Sequence, residues 1–113
     1  MRPWVPISLH ELESLVANQL ADGPPDIATL FDRLRVPFRQ VNLSRFGNRE
    51  SVFVVAQAGT IVMYYEDVEE GFNVSELLSD GSIATPGCEQ FDLATATNHL
   101  LSSASGIELR LNL

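Results

Sequence analysis

The stretch Ser51–Tyr65, SVFVVAQAGTIVMYY, decides the fold. Ser51–Ala56 and Thr60–Tyr65 are apolar at nearly every position and rich in β-branched and aromatic residues, and Gln57, Ala58 and Gly59 join them. Such residues fit a pleated surface. Successive strand side chains point to opposite faces, so apolar residues on both parities predict central strands. These strands would be covered on both faces, or covered on one face with the other in an interface.

Upstream, Pro37 marks a change of period. Phe38–Leu43 (FRQVNL) alternates as a strand with one polar face. Ser44–Arg49 (SRFGNR) is a turn in which Gly47 and Asn48 tolerate positive φ, so an antiparallel meander is the simplest topology. Earlier still, Ser8-Leu9-His10-Glu11 has the form of a capping box. Leu9, Leu12, Val16 and Leu20 then recur at helical spacing, which predicts a helix over residues 8–21. Asp22-Gly23-Pro24-Pro25 ends it, and a second short helix starts at Pro25 with Ile27, Leu30, Phe31 and Leu34 on one face.

Downstream, Phe72–Leu78 reads equally as a short strand or a turn of helix, Asp80-Gly81 as a turn, and Ser82–Ala84 as a short edge strand. Pro86-Gly87 breaks the chain. A helix is predicted from Glu89 or Gln90 to Ser103, with Leu93, Ala96, Leu100 and Ala104 on its apolar face and Gly106 as its cap. The tail IELRLNL alternates as a final strand. The expectation is one α+β domain over residues 1–113: two N-terminal helices, a mainly antiparallel sheet of four to five strands, a C-terminal helix and a final strand.

Composition narrows the function. With 45% apolar and 19% charged residues the chain is globular, and 113 residues suffice for one core. A net charge of −8 argues against nucleic acid and anionic membrane surfaces, both of which require clustered cations, and is compatible with a basic partner. All seven bases are arginine, as GC-rich bacterial codon usage tends to produce, so a bacterial source is expected. Charge is also segregated. Residues 1–49 hold six arginines against five carboxylates, whereas residues 50–113 hold ten carboxylates against Arg110 alone. The single cysteine, Cys88, permits no internal disulfide. No apolar run approaches a membrane span, and MRPWVPISLHEL lacks the uninterrupted apolar core of a signal peptide, so a cytoplasmic location is expected. Asn73-Val74-Ser75 matches a glycosylation sequon and is read as chance.

The most concentrated chemistry lies in Tyr64–Phe72, YYEDVEEGF. Strand alternation would point Glu66 one way and Asp67 and Glu69 the other, which disfavours convergence on a metal ion. The stretch therefore reads as a solvated strand end or as a partner-facing patch, in which aromatics supply contact area and acids select a basic partner. Its candidate binding residues are Tyr64, Tyr65, Glu66, Asp67, Glu69, Glu70 and Phe72.

Cys88 precedes a predicted helix, where a thiol can be activated, but His99 lies about three turns further along that helix and His10 lies in the first one. A small buried apolar role is the plainer alternative. Arg33, Arg35, Arg39, Arg45 and Arg49 either pair with the acidic half or bind an anion, and Trp4 reads as a lid or staple on the core. No catalytic residue, metal or cofactor is expected.

In length, acidity, lack of a catalytic constellation and the acidic segment YYEDVEEGFNVSELLSDG, the chain resembles the small single-domain α+β immunity proteins of bacterial toxin systems. The resemblance implies a non-enzymatic inhibitor that binds a basic protein partner such as a toxin, and it carries over no individual residue. The alternatives are an accessory or regulatory domain that homodimerises through its sheet and, behind it, a small hydrolase.

Overall fold

The computed structural model describes residues 6–45, 47–67, 70–84 and 89–111. Helix α1 (Leu9–Asp22) and helix α2 (Pro25–Leu34) lead into four strands: β1 (Arg35–Arg45), β2 (Asn48–Ala58), β3 (Ile61–Glu66) and β4 (Gly71–Glu76). Helix α3 (Leu93–Leu111) follows. The sheet is an antiparallel meander in the order β1-β2-β3-β4.

The local signals explain the helix starts. The Ser8 hydroxyl accepts the Glu11 N–H at 3.1 Å, and the Glu11 carboxylate accepts the Ser8 N–H at 3.1 Å, closing the capping box. Ile7 packs on the core cluster that contains Leu12, so the chain enters α1 from a fixed direction. Pro25 occupies the first turn of α2, where its missing N–H costs nothing. Asp92 caps α3 by accepting the Thr95 N–H at 2.8 Å, so the helix begins at Leu93 and leaves Glu89 outside.

The double-parity pattern of β2 and β3 is satisfied within the chain. One face packs Val55, Ala56, Ile61, Met63, Tyr65 and Phe72 against Leu12, Val16, Phe31, Leu93, Ala96 and Leu100 of the three helices. The other face buries Leu43, Val52, Val54, Val62 and Tyr64 under Ile83. Ile83 belongs to a small hairpin that extends from β4. In it the Leu78 N–H donates to the Ser82 oxygen at 2.8 Å, and the Ala84 N–H donates to the Glu76 oxygen at 2.9 Å. This hairpin carries the chain across the second face to β1, where the Ile83 N–H meets the Asn42 oxygen at 2.9 Å.

Three expectations change. Phe72–Leu78 resolves as strand β4 plus the root of the hairpin, and Ser82–Ala84 contributes a single bridge, Leu77–Ile83, rather than a strand. β1 starts at Arg35, before Pro37, because the pairing register jumps between Arg35 and Arg39. Pro37 sits in that irregularity on an edge strand, where its missing N–H breaks no ladder. Residues 107–111 of the predicted final strand are helical instead, because α3 runs through Gly106 to Leu111, and residues 112 and 113 lie outside the described residues. Leu, Glu and Arg are strong helix formers, so extending an existing helix across the tail outweighs the cost of about 1 kcal/mol for one glycine.

Candidate functional site

The acidic stretch straddles the β3–β4 turn, and the turn separates its residues. Tyr64 and Phe72 are fully buried, on opposite faces of the sheet. Tyr65 is on the helix side, with its ring edge-on to Phe72 at 5.2 Å between centroids. Burial, together with the negative charges of Asp67 and Glu70, raises its phenol pKa above the usual value. Glu66 is 1% exposed, and both it and Tyr64 are partnered inside the fold. Glu70 is exposed at φ 54°, a left-handed turn position. Glu69 lies outside the described residues. The chain therefore does not gather the six described residues on one surface. The aromatics are core, and Glu70 is the carboxylate of the turn that faces solvent among the described residues.

Asp67 acts in the structure itself. Its Oδ1 accepts the Ile7 N–H at 2.8 Å, fixing the approach to α1. Burial raises its pKa above 3.8, opposed by that hydrogen bond and reinforced by the charges of Glu66 and Glu11. The folded chain thus holds the Asp67 proton more tightly than the unfolded chain. Its contribution favours folding most fully below pH 3.8 and is lost as pH rises through the raised folded value. Asp67→Asn keeps an oxygen for Ile7. It should flatten this part of the stability–pH curve, measured by urea denaturation across the acid range, without weakening the chain at neutral pH. A curve of unchanged shape would show that Asp67 does not titrate in this way.

Beyond the turn, the segment 89–91 lies along the start of β4. The Asn73 amide pairs with both backbone groups of Glu89: its Oδ1 accepts the N–H at 2.9 Å and its Nδ2 donates to the oxygen at 3.1 Å. The Phe72 N–H donates to the Phe91 oxygen at 2.9 Å. Asn73 is 1% exposed and its amide is engaged, so the sequon asparagine is not presented to solvent.

The remaining candidates disperse. His10 is exposed on α1, and His99 is exposed on α3 with its ring 5.7 Å from that of Phe91. Cys88 and Trp4 lie outside the described residues. Arg35 pairs with Asp32 at 3.3 Å and lies over the Phe31 ring, and Arg39 donates to the Gln57 side chain at 2.9 Å. These two arginines therefore engage near neighbours rather than the acidic half.

Asp80 takes the Ser82 hydroxyl at 2.6 Å and N–H at 2.9 Å, and Asp92 takes the Thr95 N–H. The Ser82 side chain and backbone, with the Arg49 charge, hold the Asp80 carboxyl below its usual pKa, and the Thr95 side chain and backbone do the same for Asp92. Among the described residues, no group of three or more His, Cys, Asp or Glu side chains is arranged to hold a metal ion, and no helix is long and apolar enough to cross a membrane.

One feature escaped sequence reasoning. A cavity of about 510 Å³ lies between residues 40–44 of β1 and the hairpin at Leu78 and Asp80–Ala84, with Arg49 at its wall. The alternation of FRQVNL marks β1 as half-exposed, but only the strand order reveals it as an edge. No family model matches this chain, and no curated protein or solved structure matches it either.

Proposed function

We propose that the chain is a non-enzymatic protein-binding domain that docks an acidic surface on a basic protein partner, as an immunity or inhibitor protein docks on its toxin. The supporting observation is that Glu70, Glu76 and Glu89 are exposed, with no described cation within ion-pair distance. Their field therefore reaches solvent, in a half of the chain that holds ten carboxylates and one arginine. Because Tyr64, Tyr65 and Phe72 are core, attraction in this reading comes from charge and not from the aromatics of the turn.

The test uses the purified product of the neighbouring reading frame as the partner, with association followed at low and high salt. Exposed charges are screened beyond about 10 Å at 0.1 M salt, so the association rate should fall on the order of tenfold as salt rises. The triple variant Glu70→Gln, Glu76→Gln, Glu89→Gln should associate more slowly at low salt and with a flatter salt response. Equal rates for the two proteins would reject the acidic surface.

A further inference from the structure

The β1 edge of the sheet carries backbone groups that nothing in the described chain uses. The Ile83 N–H reaches the Asn42 oxygen from outside the β1–β2 ladder, so Asn42 turns its backbone away from β2. Antiparallel pairing alternates residue by residue. Gln40 and Ser44 therefore turn outward as well, while Arg39, Val41 and Leu43 bond β2. Among the described residues Ile83 is the one backbone partner on that side, which leaves the Asn42 N–H and both backbone groups of Gln40 and Ser44 open.

These groups form one wall of the cavity of about 510 Å³. In the opposite wall Leu78 is 52% exposed, one of two large apolar side chains so exposed among the described residues. Arg49 lines the same space, and no described carboxylate lies within ion-pair distance of it. The Asp80 carboxylate is bonded by Ser82 in the hairpin turn and feels the Arg49 charge only beyond ion-pair distance. The bulge and Pro37 interrupt the far end of β1, as devices that protect edges do, but residues 40–44 pair regularly with β2 and carry neither.

We propose that this groove is a strand-addition site for an extended acidic segment of a partner protein. The segment lies along Gln40–Ser44, bonds the open backbone groups, sets a carboxylate near Arg49 and rests an apolar side chain on Leu78. Strand addition draws its affinity from main-chain bonds and its selectivity from alternate side chains. Charge selects the occupant: Arg49 lines the groove and Arg39 is exposed on the same hairpin, both in the half of the chain where six arginines stand against five carboxylates. A second copy is the poorer fit, because antiparallel self-pairing centred on Asn42 places position 39 opposite position 45, both arginine, and directly opposed like charges destabilise a sheet. The site is separate from Glu70, Glu76 and Glu89 and does not rest on their role.

The test titrates the isotope-labelled full chain with a nine-residue peptide in which valine alternates with glutamate and threonine. The expected result is amide shifts centred on Gln40, Asn42, Ser44 and Ile83, with the lysine-for-glutamate peptide binding at least tenfold more weakly. Ser44→Pro removes an outward N–H without touching the β1–β2 ladder and should weaken binding at least tenfold. A peptide methylated on alternate backbone nitrogens asks the same question of the unaltered protein, should the proline variant fail to fold. Arg49→Glu should reverse the preference between the two peptides, and the Glu70, Glu76, Glu89 triple variant should bind the glutamate peptide at least as well as the parent. Shifts that are absent or centred elsewhere would overturn the proposal, as would equal binding of the methylated peptide. So would a free protein of twice 12.4 kDa with Gln40 and Ser44 already protected, since a second copy would then hold the edge.

Discussion

Phe72→Ala should destabilise the chain by about 3–5 kcal/mol, the range for emptying a buried aromatic site. For a domain of this size that corresponds to a fall in Tm of roughly 10–25 °C. The ring is fully buried on the helix side of the sheet, edge-on to Tyr65, and the backbone of the same residue ties β4 to Phe91. Removing the ring strips contacts from Tyr65 and from the adjoining core, in a seam where the 89–91 backbone is already held by two hydrogen bonds to Asn73 and so cannot easily collapse inward. Thermal unfolding followed by circular dichroism reads the effect directly. A Phe72 that served a partner surface would give the opposite pattern: Tm unchanged within a few degrees and binding lost. Phe72→Leu, which keeps most of the volume, should cost about 1.5 kcal/mol or less.

Where the determinants are local, they were visible in the sequence. The Ser8–Glu11 capping box, Pro25 in a first helical turn and the apolar stripe of α1 each depend on residues within one or two turns, and each appears where its spacing placed it. The double-parity runs of β2 and β3 signalled two covered faces, and the helices and the Ile83 hairpin supply the covers.

The tail misled because alternation in Ile107, Leu109 and Leu111 is a strand pattern only if an edge is there to pair with, and edges belong to the whole fold. The acidic stretch misled for a related reason. Charge density was plain, but the turn begins after Glu66, and Glu66 shares the parity of Val62 and Tyr64, which point into the second core. Parity was a signal in the sequence, outweighed there by composition. The contact of 89–91 with Gly71–Asn73 joins positions up to nineteen residues apart in sequence and had no local signature.

That contact makes Gly71 the most sensitive glycine of the described chain. A Cβ at Gly71 would lie 2.8 Å from the Gln90 carbonyl carbon and 3.0 Å from the Glu89 oxygen, and closer still to the Gln90 Cα. All three are backbone atoms, so no side-chain rotation relieves the overlap. The segment 89–91 must move, and it is anchored by the Asn73 amide and the Phe72–Phe91 bond. Gly71→Ala should therefore cost about 3 kcal/mol or more, combining overpacking with loss of partners for the buried Asn73 amide.

Gly47→Ala is the matched control. Its φ of 79° strains an alanine, but nothing lies within 4 Å of the added carbon, so the cost should stay at about 1–2 kcal/mol. Hydrogen exchange separates the two mechanisms. Gly71→Ala should speed exchange of the Phe72 and Glu89 amides, the donors of the disturbed seam, and Gly47→Ala should leave their relative protection intact. Should both variants lose similar stability, with protection at Phe72 and Glu89 unaltered, close approach of the two backbones would not be what reserves position 71 for glycine.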